Sequence, residues 1–311
     1  MPPVRDHTDP PAHGSSPQRY GRIVSSHGRH YMVELEDGEL RKCFPRGKKG
    51  GPAVGDHVAV TLQGEEGSIE RIHERKNLLY RSDEMRTKQF AANVDLLLIV
   101  VASEPMFSDD LVGRALVGAW SAGVAPLIVL NKADLASTSV ARQRLEPLRR
   151  LGVPLVEISA TDIEATRRTL QPLLQGGCSL LLGQSGMGKS TILNALVPDA
   201  RAHTQEHSQA LGAGRHTTTA TRLYHLPDDS GVIIDSPGFQ AFGLSHLGPE
   251  EILLGFPEFT THTDLCRFYN CSHRHEPGCG VLAALRNGTI AAERHALYER
   301  LLAEHETRNT Y

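Results

Sequence analysis

From Tyr20 to about Tyr80 the apolar positions come in short alternating runs: Gly21-Arg-Ile-Val-Ser, His30-Tyr-Met-Val-Glu-Leu, His57-Val-Ala-Val-Thr-Leu and Gly67-Ser-Ile-Glu-Arg-Ile. Turn residues separate them, at Glu36-Asp37-Gly38, Gly55-Asp56 and Gly64 to Gly67. Period-two runs bounded by such residues read as half-buried strands. About five of them predict a small closed barrel over residues 19–80. An OB-fold is the economical choice, and an SH3-like barrel fits nearly as well. Residues 1–18 hold no run able to bury a core and are expected to be a flexible tail.

Residues 81–92 read as a polar connector, after which the rhythm changes. Val94-Asp-Leu-Leu-Leu-Ile-Val-Val, apolar without a break from Leu96 on, has the text of a parallel strand. Ser108-Asp-Asp then offers an N-cap and acidic first turn for a helix running towards Gly123. Strands at Pro126–Leu130, Pro154–Ile158, Ser179–Gly183, Thr221–Leu226 and Gly231–Asp235 alternate with helices at 138–151, 162–174 and Lys189–Leu196. That alternation predicts a doubly wound α/β domain over 81–244. Residues 245–311 read as mostly helical, interrupted by a Cys/His cluster.

Composition narrows the classes. The 311-residue chain is 40% hydrophobic and 22% charged, as folded soluble proteins are. Its 33 basic and 36 acidic residues leave a net charge of −3, so any RNA contact must come from a local patch rather than an overall basic coat. The longest apolar run, Leu96 to Ala102, is too short for a membrane span, and no apolar segment near the start resembles a signal peptide. A cytoplasmic, monomeric protein with no membrane partner is expected. Five cysteines, three of them between Cys266 and Cys279, argue for metal rather than disulfides.

The sharpest motif is Gly183-Gln184-Ser185-Gly186-Met187-Gly188-Lys189-Ser190. It fits G-x-x-x-x-G-K-[ST], lies between a strand and a helix, and continues into Thr191. Glycines let backbone N–H groups face phosphate oxygens while the helix N-terminus adds its positive end. Lys189 is expected to bridge the β- and γ-phosphates and Ser190 to hold Mg²⁺. A second motif, Asn131-Lys132-Ala133-Asp134, follows a strand directly. A carboxylate there can accept both N–H bonds of the guanine edge, a pair adenine lacks, for selectivity of about 10⁴. Asn131 can donate to the base or tie neighbouring loops, and the Lys132 stem can cover the ring. Ser159-Ala160, after the next strand, is expected to give a backbone donor to the guanine carbonyl.

Asp235-Ser-Pro-Gly238 is the D-x-x-G context, with Asp235 in the Mg²⁺ shell and the Gly238 N–H on the γ-phosphate. Thr218 and Thr219, in Gly214-Arg-His-Thr-Thr-Thr219, occupy a polar loop suited to a switch threonine. In the usual GTPase the phosphate loop comes first; here N-K-x-D and Ser-Ala precede it, the order of a circular permutation, which nearby chain ends permit. After D-x-x-G stands Phe239, which cannot orient water as a glutamine does. The catalytic set expected is therefore Lys189, Asp235 and a histidine, with His246 favoured over His216.

Cys266-x4-Cys271-x-His273-x5-Cys279 offers three thiolates and an imidazole, a closed set for structural zinc, with His275 competing by spacing alone. In the barrel, Arg41-Lys-Cys-Phe-Pro-Arg-Gly-Lys-Lys49 carries five basic residues, one aromatic and no acid, a candidate RNA contact.

Together with Lys76-Asn-Leu-Leu-Tyr-Arg and Ala92-Asn-Val-Asp, these motifs resemble the circularly permuted ribosome small-subunit-dependent GTPase A family over nearly all of residues 20–305. The resemblance implies an N-terminal OB-fold, a permuted GTPase and a helical zinc-binding domain holding one Zn²⁺ through Cys266, Cys271, His273 and Cys279. It implies GTP hydrolysis with Mg²⁺, stimulated by the small ribosomal subunit, contact with its rRNA, and a role late in its maturation. A P-loop ATPase or nucleotide kinase is the competing enzyme class, and an RNA-binding module with a vestigial nucleotide site is the competing non-enzyme.

Overall fold

The computed structural model describes residues 18–47, 51–82, 87–198, 200, 220–236 and 244–309. Five strands make the N-terminal barrel: β1 (Gln18–His27), β2 (His30–Leu35), β3 (Leu40–Pro45), β4 (His57–Gln63) and β5 (Glu66–Ile72). β1 pairs antiparallel with both β2 and β4, β4 with β5, and β3 runs parallel to β5, so the ladder closes as 1-2-3-5-4-1. Five strands closed this way are an OB-fold, which removes the SH3-like alternative. One strand can serve two neighbours because β1 is ten residues long and carries a bulge between Ile23 and Ser25. Glycine is required at position 21, where a Cβ would stand 2.4 Å from the Glu34 carbonyl oxygen. Ile23, Val33, Cys43, Val58 and Val60 fill the interior.

Two boundaries differ from expectation. Gln18, read as tail, begins β1, while residues 1–17 lie outside the described residues. Residues 81–92, read as a polar connector, contain most of a hairpin formed by β6 (Leu78–Ser82) and β7 (Thr87–Ala92), so the boundary expected between 80 and 81 falls inside β6. Its polar middle hides two apolar ends: Leu79, Phe90, Ala91 and Ala92 are buried. The Ala92 N–H donates to the Val54 carbonyl at 2.9 Å and docks the hairpin on the barrel.

The second layer system is a sheet in the order β10 (Leu155–Glu157), β9 (Ala125–Leu130), β8 (Leu96–Val101), β11 (Cys178–Leu182), β13 (Val232–Asp235), β12 (Arg222–His225). The first five are parallel and β12 is antiparallel. Helices α1 (Asp109–Ser121), α2 (Thr138–Arg150), α3 (Ile163–Leu174) and α4 (Lys189–Leu196) alternate with the strands, as the sequence pattern predicts. The Ser108 hydroxyl accepts from the Leu111 N–H and caps α1. β12 also pairs with β1 through Ser25 and Arg222, so among the described residues barrel and α/β domain share one eleven-stranded sheet.

Beyond it lie α5 (Pro249–Leu254), α6 (Pro257–Thr263), α7 (Gly280–Arg286) and α8 (Ala292–Asn309). α8 turns back onto α1, where Arg114 meets Glu304 and Arg300 meets Asp110. On the same helix Arg294 is buried, pairing with Glu258 at 2.6 Å, its guanidinium 4.3 Å from the Phe256 ring centroid and 5.4 Å from that of Trp120. A buried ion pair that also stacks on two rings fixes how the last helix sits, because neither charge can be left unpartnered there. No helix among the described residues is long and apolar enough to cross a membrane.

Candidate nucleotide and metal sites

Parallel strands direct their C-terminal ends, and the loops that follow, to one edge of the sheet. The loop after β11 holds Gly183 to Ser190 and opens α4, with Ser185, Gly186, Ser190 and Thr191 exposed. Gly188 caps α4 with φ +92, and a Cβ there would sit 2.1 Å from the Asn131 amide nitrogen. Only glycine lets the two loops approach that closely. The Lys189 Nζ donates to the carbonyls of Gly183 at 2.6 Å and Gln184 at 3.0 Å, so the loop curls around its own ammonium. Burial lowers the Lys189 pKa, and the charge of Asp235 opposes that shift.

Asn131, buried at the end of β9, joins the motif loops. Its amide donates to the Met187 carbonyl at 2.9 Å, and its oxygen accepts from the Ala160 N–H at 2.9 Å. Of the two roles expected for it, tying loops is the one seen. In this arrangement the Ala160 N–H, one of the two backbone donors of Ser159-Ala160, is engaged by Asn131. The Ser159 hydroxyl donates to the Asp134 carboxylate at 2.6 Å and accepts from the Asp134 N–H at 3.1 Å. That hydroxyl holds the Asp134 carboxyl below its usual range, keeping it an anion with acceptor capacity to spare. Lys132 takes a left-handed backbone (φ 59) and sends its Nζ to the Glu104 carbonyl at 2.5 Å, while the Ala133 N–H donates to the Ile158 carbonyl at 3.0 Å. The Gln184 side chain accepts from the Ser108 N–H at 2.7 Å and so pins the start of α1 to the loop.

Asp235 ends β13, next to β11 in the sheet. Burial raises its pKa, and the charge of Lys189 opposes that shift. A half-buried carboxylate that feels the Lys189 ammonium, on the strand next to the one leading into the exposed Ser190, is a donor set that suits Mg²⁺, a hard cation taking oxygen ligands. Ser236 follows, fully buried, its hydroxyl without a hydrogen-bond partner among the described residues. Thr218, Thr219, Gly238, Phe239, Gln240 and His216 lie outside the described residues. His246 is exposed and packs its ring 4.0 Å from that of Tyr80, on the hairpin β6–β7.

In the C-terminal region Cys266, Cys271, His273 and Cys279 converge, their ligand atoms all within 4.8 Å of one another. The Cys266–Cys279 sulfur separation is 3.8 Å, and His273 Nδ1 lies 3.6 and 3.5 Å from those sulfurs. A tetrahedron with Zn–S bonds of about 2.3 Å has edges of about 3.8 Å, so the set fits zinc. Burial and the neighbouring thiols push Cys271 up to about 12, the electrostatic expense of gathering thiolates with no cation among them. The Gly280 and Leu282 N–H groups point at the Cys266 and Cys279 sulfurs, each at 3.4 Å. His295 approaches the His273 carbonyl at 2.8 Å. His275 is exposed and outside the cluster, which settles the fourth ligand in favour of His273.

A sequence model of the RsgA GTPase family matches residues 72–245, more than half of the chain. The chain belongs to the RsgA GTPase family. Proteins named small ribosomal subunit biogenesis GTPase RsgA resemble it closely. The Bordetella pertussis protein is 66% identical over 299 residues, 96% of this chain and 100% of its own length. The Paraburkholderia xenovorans protein is 55% identical over 298 residues, covering 93% and 94%. Among solved structures, YjeQ from Thermotoga maritima superimposes with a TM-score of 0.69 at 32% identity, covering 93% of this chain and 98% of its own. YloQ, described as a circularly permuted GTPase, gives 0.67 at 26% identity over 98% and 99%. The RsgA motif order thus coexists with an intact parallel sheet, because permutation changes which loop is cut and not which strands are neighbours.

Two supporting residues were not evident from the sequence. Glu276, between the last two ligands, accepts from the Ser272 N–H (2.8 Å) and hydroxyl (2.5 Å) and from the Arg274 and His275 N–H groups (3.2 Å each). Burial works against its charge, but these donors outweigh it and keep the carboxyl well below the usual range. An acid beside metal ligands in a turn was the available signal. Glu104, whose carbonyl and carboxylate hold Lys132 and Ser137, carries none. The basic run in the barrel is less free than its text suggests: Arg41 pairs with Glu39, Lys42 with Glu66 and Arg46 with Glu70, while Lys48 and Lys49 lie outside the described residues.

Proposed function

We propose that this RsgA-family chain hydrolyses GTP to GDP and phosphate as a monomeric, cytoplasmic factor in the late assembly of the small ribosomal subunit, whose rRNA it contacts and which stimulates its turnover. The observation that carries the reading is Asn131. It joins the lysine-bearing phosphate loop to the turn at Ser159-Ala160, so the groups for phosphate and for guanine form one connected surface at one sheet edge.

In this reading the backbone from Gly183 to Thr191 cradles the phosphates and Lys189 offsets charge on the β- and γ-oxygens. Ser190 and Asp235 hold Mg²⁺, which when bound neutralises charge developing on the transferred phosphoryl group. Asp134 accepts from the guanine edge and the Lys132 stem borders the ring. A switch threonine, Thr218 or Thr219, completes the Mg²⁺ shell, and the Gly238 N–H contacts the γ-phosphate. His246, held against Tyr80, is the candidate to orient the attacking water, and stimulation by the subunit reflects its release from that ring. Zinc on Cys266, Cys271, His273 and Cys279 is structural.

Base choice tests the site directly. Asp134→Asn replaces an acceptor by a side chain that also donates, so guanine loses its match and xanthine, with a carbonyl where guanine has its amine, gains one. Turnover should favour GTP over ATP by about 10⁴ in the wild type and shift towards xanthosine triphosphate in the variant. Equal use of ATP and GTP by the wild type would refute the guanine assignment.

A further inference from the structure

Among the exposed large apolar side chains, most stand singly, but Leu265, Phe268 and Tyr269 fall within one turn, 68%, 41% and 108% exposed. Tyr269 is as bare as a side chain can be. Scattered surface apolar residues need no explanation; a cluster at the tip of a built loop does.

This tip is stiff. The segment 267–270 runs between two members of the metal cluster, Cys266 and Cys271, and its start is held by the Arg267 N–H donating to the Gly278 carbonyl at 3.0 Å. The Arg267 guanidinium lies over the Phe268 ring, 5.6 Å from its centroid, and makes no ion pair among the described residues. Within residues 265–279 the one acidic side chain is Glu276, and its carboxylate is turned onto the N–H groups of its own loop. The tip therefore presents two rings and a guanidinium between Cys266 and Cys271, with the exposed Asp264 standing before the first cysteine.

We propose that Arg267-Phe268-Tyr269 is a stacking platform for an unpaired nucleotide of small-subunit RNA, the rings taking a base and Arg267 its phosphate. Every base has a face that a ring can cover, and an arginine beside rings is the pairing that single-stranded RNA sites use. Anchoring of the segment at both ends by the cysteine loop means that little backbone freedom is lost on binding. The proposal rests on the small-subunit reading above.

The test uses the full chain and purified small subunits, reading affinity alongside zinc content and basal GTP turnover. Tyr269→Ala should weaken binding about tenfold, within the 5- to 150-fold that about 1–3 kcal/mol per stacked base implies. Zinc and basal turnover should stay unchanged. Tyr269→Phe and Tyr269→Trp should keep affinity, while Tyr269→Leu, apolar but without a ring, should behave like alanine. Arg267→Ala should lower the salt dependence of binding. A photoreactive residue at 269 should crosslink to RNA. Wild-type affinity in Tyr269→Ala, retention by Tyr269→Leu, or a crosslink carried only by protein would overturn the platform while leaving the small-subunit reading intact. Failure of the wild type to bind subunits would instead remove that reading, and the platform with it.

Discussion

The nucleotide face and the cysteine loop are both made of short turns, but they are held in opposite ways. At the nucleotide face the loops hang from rigid strand ends and are joined by neutral hydrogen bonds, chiefly the two made by Asn131. Lys189 and Asp235 face each other there, each moved towards its uncharged form by burial. The cysteine loop has no sheet behind it. Its side chains converge on a point where burial and neighbouring thiols oppose ionisation. The first site is shaped by the fold; the second gathers four ligands that a cation would hold together. Two kinds of perturbation should therefore separate them.

The largest effect should come from Cys271→Ser or from chelation. Metal binding supplies about 10 kcal/mol or more to small zinc domains, so bound zinc should fall from one per chain towards none. Hydrogen exchange should then rise across residues 264–286 while the β8–β11 core stays protected. Loss of protection in that core as well would show that the two regions are one folding unit. Lys189→Ala should do the converse, leaving zinc and exchange untouched and lowering kcat/KM by about 10² to 10³, as loss of one charge-stabilising donor does. Asn131→Ala leaves the Met187 carbonyl and the Ala160 N–H without partners, at about 1–3 kcal/mol. GTP affinity should fall about tenfold, with zinc again unchanged; an unaltered affinity would mean the loops do not need their tie.

The smallest effect concerns the seam between barrel and sheet. His225 on β12 meets Glu34 on β2 at 2.7 Å, with Asp229 on its other side and Arg22 opposing. The Glu34 contact raises the His225 pKa above its ordinary value of about 6.5. The pair then stabilises fully below that ordinary value and is lost as pH rises through the raised one. The Tm advantage of wild type over His225→Gln should accordingly shrink from pH 6 to pH 8. Because both side chains are partly exposed, a degree or so is the scale expected, and an advantage that grows with pH would contradict the assignment.

Much of this was legible in the chain. The phosphate loop is read from local text because its chemistry is backbone and glycine, and its strand and helix adjoin it. The four zinc ligands lie within fourteen residues, close enough for spacing to speak. Features built from distant partners were not legible. The pairing of Ser25 with Arg222 joins residues nearly two hundred positions apart, and no local periodicity encodes it. The hairpin at 78–92 was hidden because a solvated strand pair looks like a linker until Leu79 and Phe90 are seen to be buried. Asn131 was read at the right position, but which of its two roles it fills depends on loops 29 and 56 residues away.

GTP turnover by the purified chain, with and without small ribosomal subunits and beside Lys189→Ala, bears most directly on the central claim. The account predicts a slow basal rate, strong stimulation by subunits, and loss of both in the variant. Subunits that neither bind nor accelerate turnover would contradict it.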